Sequence, residues 1–560
     1  MGIVLLSLIA QVEWSLAPST EHAAIGEIVV VELRMTSDLE FAVVSMELDV
    51  DGGLRLIDVL PCGDFSIQAP FDGETPPFLL TFGNYRPGTS GHGLVVSQLI
   101  FLAEQMGPQT VSLTMPAAFE YGHPPQRYQA SSKTLTIQVG TKQQTFATPI
   151  RLPGSFALVA GDGGLAGEMD EITPEGTLHR TSVVTCKPLE KCIWVPENES
   201  GWLVFRGTGV ISSYGIYESQ DGLELDMSPW VTTHATLTVP HVAQRREQFE
   251  TFVYLGSALD QSGPPNIVAG ESVIQIPIQS LASQRLDLNN WFTELPPWME
   301  IQSGSFENGL VAVEQFRKHT AHQSVSMPLT GGLDKSLIFP HIANNLTQFW
   351  TGIVLVNTTA LPNATSLEVY GHQQLMETIS ISLAPRERLT ILYQMGPDGL
   401  PETVTVPPHN IQLDEGVSWL RVQGERLLAG YALFGDRSDR YLAGLQSAPT
   451  PFSELIYPLL WRDNRWTGFA LINTSADVTP VEVTVLNVVG GSVAQFNIEI
   501  PGYGKVLATD SSFFDGQSLP SAADHVRIRQ LEGSSLSGFL LLGDLGDRQL
   551  LAGMAAYPHD

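Results

Sequence analysis

The chain has 560 residues, with 59 acidic against 29 basic side chains and a formal net charge of −30 at pH 7. This balance argues against a nucleic-acid partner, because phosphate backbones are bound by clustered Lys and Arg. Apolar residues make up 43% of the chain and charged residues only 16%, while 51 Gly and 37 Pro indicate many turns between short strands. The length leaves room for about four or five domains.

The first eleven residues are largely apolar, and the stretch is too short to span a bilayer. Residues 1–11 resemble the apolar part of a secretory signal that lacks its basic leader, and the alternative is a first buried strand. No other segment of the sequence is long and apolar enough to cross a membrane. We therefore expect a secreted or cell-surface protein without membrane insertion.

Residues 12–140 are predicted to form one antiparallel β-sandwich. The predicted strands are short, turns separate them, and no 3.6-residue period is present. They cover residues 25–35, 43–51, 54–59, 94–102, 109–114 and 133–139.

The order of these strands resembles that of cohesin-like domains, which belong to the wider group of carbohydrate-binding sandwiches. The matching positions are Gly26-Glu27, Asp49 to Asp51 with residues 54–59, Leu99-Ile100-Phe101, and Gly107 with Val111 and Leu113. The resemblance implies binding of an extracellular protein or polysaccharide. No dockerin-like pair of Asp/Asn loops accompanies it, so nothing in the sequence points to a cellulosome.

A Thr- and Gln-rich stretch at 138–150 is predicted to be a linker, and residues 151–236 to be a diverged β-sandwich module. Within this module, Cys186 and Cys192 bracket five residues and are candidates for a disulfide in an oxidising compartment. Cys62 is left over as a buried or free thiol. One cysteine pair without a second makes a poor zinc site, and we expect no cofactor.

The remaining sequence repeats itself in segments 238–336, 338–446 and 456–554. Residues 340–342 and 350–357 are similar in sequence to 458–460 and 466–473, and residues 240–242 and 249–255 are a more diverged copy. The far ends match as well, since 430–436 and 442–444 read like 538–544 and 551–553. The start motifs of the last two copies lie further apart than their end motifs. We therefore place an insertion in the third module, looped out near 395–410.

Some residues recur at one position of the repeat, and we predict that they are structural. His241 and His341 correspond to Leu459 in the last copy, which favours packing over chemistry. Trp350 and Trp466 match each other, and we align Phe249 with them, so that the aromatic side chain packs within its module or against the next. Sugar stacking is the alternative for these rings. The matched Asn357 and Asn473 are predicted to satisfy turn backbone groups.

Acidic pairs in loops are weak candidates for Ca²⁺, which takes six to eight oxygen ligands. These pairs are Asp436 with Asp439, Asp544 with Asp547, and Asp49 with Asp51. The sequence contains no nucleophile elbow, zincin helix or phosphate loop. We therefore predict that the protein is not an enzyme.

Taken together, the patterns predict an all-β protein of tandem antiparallel β-sandwiches, Ig-like or jelly-roll-like, arranged as beads on a string. The expected role is non-catalytic extracellular binding, adhesion or surface display, with an extracellular protein or polysaccharide as partner. Two alternatives remain open. They are carbohydrate binding through the N-terminal sandwich, and a glycoside hydrolase whose two carboxyl groups lie about 5 to 10 Å apart in a cleft.

Overall fold

The computed structural model confirms the all-β prediction, because antiparallel sheets account for nearly all of its secondary structure. The chain divides into two compact units, residues 1–142 and 143–559. The structure describes residues 13–18, 22–23, 28–50, 53–61, 67–68, 78–83, 89–103, 107–120, 127–129, 131–139, 144–151, 153–219, 224–258, 264–270, 272–303, 309–318, 323–329, 331, 334–438, 440–448, 450–461, 465–544 and 550–556. The predicted signal segment 1–11 and Cys62 lie outside these residues.

In the N-terminal unit, one long strand organises the sheet. The first half of β3 pairs with β1 and β7, and its second half pairs with β6 and β8. Alternate side chains of β3, such as Val31, Leu33, Val44 and Leu48, enter a single core. The strands of this unit are β1 (Glu13–Pro18), β2 (His22–Ala23), β3 (Ile28–Val50), β4 (Leu54–Pro61), β5 (Ile67–Gln68), β6 (Phe78–Gly83), β7 (Thr89–Ala103), β8 (Gly107–Glu120), β9 (Arg127–Gln129) and β10 (Lys133–Val139).

The second unit contains four groups of strands, which we name modules I to IV. Module I contains β11 (Gln144–Arg151), β12 (Gly154–Ala160), β13 (Leu165–Ile172), β14 (Leu178–Cys186), β15 (Lys191–Trp194), β16 (Ser200–Thr208), β17 (Val210–Glu218), β18 (Leu225–Ser228) and β19 (Val231–Thr232). Module II contains β20 (Thr236–Val239), β21 (Phe249–Ser257), β22 (Asn266–Ala269), β23 (Ser272–Gln275), β24 (Ser283–Asp287), helix α1 (Leu288–Trp291), β25 (Met299–Gln302), β26 (Leu310–Lys318) and β27 (Gln323–Pro328).

The last two modules follow the same plan. Module III contains β28 (Asp334–Phe339), β29 (Phe349–Asn357), β30 (Asn363–Tyr370), β31 (Leu375–Leu383), β32 (Arg388–Met395), β33 (Pro401–Thr405), β34 (Trp419–Asp436) and β35 (Leu442–Gln446). Module IV contains β36 (Glu454–Tyr457), β37 (Arg465–Asn473), β38 (Thr479–Leu486), β39 (Ser492–Ile500), β40 (Lys505–Thr509), the 3-10 helix η1 (Phe514–Gly516), β41 (His525–Gln530), β42 (Leu536–Asp544) and β43 (Leu551–Ala555).

All four modules share one topology. We name the strands of each module a to h in chain order: β11–β18, β20–β27, β28–β35 without β33, and β36–β43. The first sheet has the order a-f-c-d and the second e-b-g-h. In module III, the two halves of β34 serve as strands f and g and join the two sheets.

Two sequence predictions need correction here. The stretch 138–150, predicted as a linker, contains most of β11, because its side chains from Phe146 to Ile150 are buried in module I. The insertion of module III is not simply looped out. It folds back as β33, which pairs with β32.

The four modules follow one another along the chain, but they do not pack as separate beads. Each module contacts the next, and module IV contacts module I, so the four form a closed ring. At its centre the four h strands, β18, β27, β35 and β43, contact their neighbours in cyclic order. Small residues allow this approach: a side chain on Gly444 would meet Val325 and Met327. The repeated Leu-Ala-Gly sequence of modules III and IV is thus explained by packing between modules.

Candidate functional site: the joints between modules

The turn between strands d and e has the same form in every module. We count this turn as the four residues before strand e, which begins at Lys191, Ser283, Arg388 and Lys505. The residue before the turn is Cys186, Leu383 or Ile500 at the end of strand d and, in module II, the buried Ile278 three positions beyond strand d. The third residue of each turn has a positive φ although it is not glycine, which is uncommon outside defined turns. These residues are Leu189 (58°), Leu281 (60°), Arg386 (57°) and Tyr503 (54°).

In modules I, III and IV, the carbonyl of this left-handed residue accepts a hydrogen bond from the module in front of it. The donor is a ring N–H at or next to the first residue of strand f. The three bonds are Trp298 Nε1 to Arg386 O (2.9 Å), Trp419 Nε1 to Tyr503 O (3.0 Å) and His525 Nε2 to Leu189 O (3.1 Å). The third bond runs from module IV to module I, so the ring closes through the same kind of joint that connects modules II to III and III to IV.

A cation at the first residue of strand e also reaches back into the preceding module. Arg388 Nη1 donates to His241 Nδ1 (2.9 Å) and to Pro297 O (2.6 Å). Lys505 Nζ donates to Ser418 O (2.7 Å) and lies 3.3 Å from His341 Nδ1. In both pairs the imidazole nitrogen is the acceptor, so the arrangement requires a neutral histidine.

The electrostatics of these histidines fit that requirement. Burial and, secondarily, the charge of Arg388 lower the pKa of His241 to about 3. Burial and the neighbouring Lys505 lower the pKa of His341 well below its usual value. Burial alone lowers the pKa of Lys505 to about 7. Among the described residues, its ammonium group donates to the Ser418 carbonyl and to this imidazole, and it has no carboxylate partner.

The structure places His241 and His341 between modules, and it also explains the leucine at the corresponding position of module IV. The cation that would face Leu459 is Lys191 of module I. Its Nζ instead forms an ion pair with Asp524 (2.5 Å). The ring closure is reinforced by Arg527, which binds both carboxylate oxygens of Asp162 at 2.7 and 2.8 Å.

Modules I and II are joined in a different way, through the buried carboxylate of Asp226, which also forms an ion pair with Arg151 of its own module. Arg151 Nη1 lies 2.8 Å from Asp226 Oδ2, and the Asp226 side chain is only 1% exposed. The same carboxylate accepts from the backbone N–H of Ser326 at 2.8 Å and from Gln315 Nε2 at 3.2 Å. These bonds tie strand h of module I to strands g and h of module II. Because both of its oxygens accept hydrogen bonds, the Asp226 carboxylate is satisfied despite its burial.

The structure joins Cys186 and Cys192 in a disulfide with a Cα–Cα distance of 6.3 Å. This distance lies within the range of about 4.4–6.8 Å found for disulfides. The bridge connects the end of strand d to the second residue of strand e. Modules III and IV carry buried or partly buried apolar pairs at the same two positions, Leu383 with Leu389 and Ile500 with Val506.

Trp350 and Trp466 lie half-buried at equivalent positions of strand b. Each pairs with a glycine on strand g, Gly435 and Gly543, and a side chain at either glycine would collide with the indole. The predicted match with Phe249 is wrong by one residue. The register places Glu250 opposite Arg317, at the position of the Trp–Gly pairs. Module II therefore replaces the aromatic contact with an oppositely charged pair.

Asn357 and Asn473 are fully buried and connect two turns of their own modules. Asn357 Nδ2 donates to Leu361 O and Ala384 O, both at 2.8 Å. Asn473 Nδ2 donates to Asp477 O at 2.7 Å and to Ile500 O at 3.3 Å. Both side chains thus link the b–c turn to the end of strand d or the start of the d–e turn.

For the acidic pairs, the structure gives partial information. Asp436 is buried, forms an ion pair with Arg440 at 2.6 Å and accepts from the Tyr441 N–H. Asp439, Asp547 and Asp51 lie outside the described residues. Among the described residues, no group of three or more His, Cys, Asp or Glu side chains is arranged to hold a metal ion. No described helix is long and apolar enough to cross a membrane.

Glu314 was not singled out by the sequence, yet it is fully buried on strand g of module II. Its carboxyl oxygens have no hydrogen-bond partner among the described atoms, and burial raises its pKa well above the usual value. The register aligns it with Ala432 and Leu540, which are core residues of modules III and IV. Module II therefore holds an acid where its relatives hold an apolar side chain.

No family model and no curated protein matches the chain. Among solved structures, the cohesin module of a Clostridium perfringens family 33 glycoside hydrolase covers 23% of this chain and 96% of its own length, with 6% identity and a TM-score of 0.21. A Salmonella alpha-2-macroglobulin mutant covers 96% of this chain, which spans 38% of that protein, with 9% identity and a TM-score of 0.12. Neither similarity assigns an activity or a partner to this chain.

Proposed function

We propose that the chain is an exported, non-catalytic scaffold for extracellular binding, adhesion or surface display, with an extracellular protein or polysaccharide as partner. One observation carries the proposal: the side chains that recur between modules are used to join the modules. His241, His341, Trp419 and His525 contact the neighbouring module. A protein whose recurring polar residues hold its domains together is built for a fixed shape.

Composition and covalent structure support the location outside the cytoplasm. The net charge of −30 favours an exposed, well-hydrated surface. The disulfide between Cys186 and Cys192 is typical of an oxidising compartment.

The aromatic side chains that the structure describes in the N-terminal unit do not form an exposed platform for sugars. A carbohydrate-binding sandwich of that kind presents exposed aromatic rings. The aromatic side chains that the structure describes in this unit, Trp14, Phe82 and Phe101, are each at most 2% exposed. We therefore place polysaccharide binding second.

The test uses the full chain, immobilised and exposed to a panel of matrix proteins and insoluble polysaccharides, together with chromogenic glycoside, ester and peptide substrates. We expect retention of at least one protein ligand and no turnover above a heat-denatured control. Turnover that increases in proportion to the amount of folded chain would contradict the proposal. Trp466→Ala serves as the variant for sugar stacking: we expect a lower melting temperature and unchanged polysaccharide retention, because the indole packs on Gly543.

A further inference from the structure

The connection between strands e and f is short in module I and long in the other three modules. In module I it consists of residues 195–199. The corresponding connections cover 288–298 in module II, 396–418 in module III and 510–524 in module IV. All four lie at the side of the sandwich where strand d of one sheet and strand e of the other have no further partner in the basic topology.

The long connections fill that side with apolar side chains. In module IV, Phe513 and Phe514 are buried in the core, and the Phe513 ring lies 5.3 Å from that of Phe469 on strand b and 5.9 Å from that of Phe496 on strand d. In module III, Ile411 and Leu413 enter the core. In module II, Trp291, Phe292 and Leu295 pack against it.

Module I has no such filler, and a cavity of ≈ 330 Å³ lies at this side. Its lining includes Leu158, Met169, Val184, Cys192, Trp194 and Trp230. At its mouth, Val183 is 78% exposed and Ile193 is 54% exposed. The volume is at the lower end of the range of about 300–1,000 Å³ typical of ligand sites.

The neighbouring strand e, β15, is an edge strand, and among the described residues its outer side forms a backbone hydrogen bond at Lys191. The N–H of Lys191 donates to Val488 O of module IV at 2.9 Å, so this residue points away from β12. Ile193 lies two residues further along the strand, so its backbone N–H and C=O also point away from β12. In module III the equivalent edge, β32, carries the antiparallel strand β33.

We propose that this edge of module I is a docking site for an extended segment of a partner protein with apolar side chains at alternate positions. The segment adds to the outer edge of β15 and places a large apolar side chain in the cavity beside Trp194 and Trp230. Such strand addition combines main-chain hydrogen bonds with side-chain pockets. The proposal names the partner of the binding role put forward above and rests on that role.

Two features of the molecule specify an extended peptide as the occupant. The contact between Lys191 and Val488 already continues the β15 edge into the module IV interface, so a further strand would extend an existing interface. Module III shows the same edge occupied by a strand of its own chain. Val183 and Ile193 at the mouth and the Trp194 and Trp230 rings in the wall favour a large apolar side chain there, while Thr185, Glu190 and Lys191 also line the cavity.

The test pans a phage library of random peptides on the biotinylated full chain and measures the enriched peptides by fluorescence polarisation. The disrupting variant is Ile193→Asp, which changes an exposed side chain at the mouth. The matched control is Leu507→Asp in module IV, which alters the third residue of the equivalent strand e, 58% exposed, in a module that is filled. Both variants are checked by thermal melting.

We expect enriched peptides with alternating large apolar residues, binding at least tenfold weaker to Ile193→Asp and unchanged binding to Leu507→Asp. Failure to enrich peptides, or equal binding to both variants, would overturn the proposal. Self-association that is lost in Ile193→Asp would also overturn it, since the occupant would then be a second copy of this chain. If no peptide binds at module I, the proposed binding role can still be tested separately, with ligands that Ile193→Asp and Leu507→Asp retain equally.

Discussion

Modules I and IV contain the same d–e turn but stabilise it with different side chains. Both have the same d–e turn with a left-handed third residue, Leu189 or Tyr503. Module IV supports the turn with the apolar pair Ile500 and Val506 and fills the open side with Phe513. Module I supports it with the disulfide and leaves the side open. A covalent bridge thus allows a module to keep its turn geometry without the filler, which leaves surface for another use.

The largest expected effect comes from removing the bridge. Replacing both cysteines by alanine should lower the free energy of unfolding of module I by about 2–4 kcal/mol, as for other native disulfides. Cys186→Leu with Cys192→Leu should recover part of this loss, because it copies the Leu383 and Leu389 pair of module III. Urea unfolding monitored by tryptophan fluorescence measures both variants. Equal stability of the alanine variant and the parent would show that the bridge is dispensable.

The second-largest effect is expected at the contact between modules IV and I, which closes the ring. His525→Leu should destabilise the contact between modules IV and I by about 1–3 kcal/mol, because the Leu189 carbonyl loses the donor that the buried His525 ring supplies. Hydrogen exchange should rise at the amides of 187–191, including that of Lys191. Trp298→Phe, which removes the equivalent donor between modules II and III, should leave those amides unchanged. Loss of protection in both variants would mean that the joints act only together.

Lys505 makes the contact between modules III and IV sensitive to pH. Its folded-state pKa is about 7, against 10.5 for the exposed side chain. Between these values the unfolded chain binds more protons, so stability should increase as pH rises from 7 to 10.5, by at most about 1.4 kcal/mol per unit. Lys505→Met should flatten this dependence while the parent retains it. Parallel pH profiles for the two proteins would contradict the assignment.

The smallest effect is expected for the exposed part of the ring closure. The Asp162 side chain is 65% exposed, although Arg527 binds both of its oxygens. A double-mutant cycle with Asp162→Asn and Arg527→Gln should give a coupling of about 0.2–1 kcal/mol that falls with added salt. A coupling that is insensitive to salt would mean that water is excluded from this pair.

The sequence predicted the all-β class and the repeated motifs because alternating apolar residues and turn signals are local. It placed Trp350, Trp466 and the two asparagines in matching positions for the same reason. It missed the ring, since His525 and Leu189 are 336 residues apart and no local pattern connects them. It also misaligned Phe249, because a one-residue shift in strand b is visible only from the pairing of Glu250 with Arg317.

The signal that could have revealed the joints was present but weak. A basic residue begins strand e in three modules, yet Lys191, Arg388 and Lys505 share no neighbouring motif apart from the length of the preceding turn. Each of these cations contacts the preceding module, and this contact is visible only in the three-dimensional structure. The sequence also contained no sign that Glu314 occupies a core position, because charged side chains in strands are usually exposed.

Module IV contacts module I through the same kind of joint that connects modules II to III and III to IV, so none of the four modules is a terminal repeat. Open repeat proteins require end modules with a polar outer face, and they tolerate addition or loss of internal copies. Here the His525 to Leu189 bond takes the place of such caps. A fifth copy inserted between any two modules would therefore have to break an existing contact between neighbours.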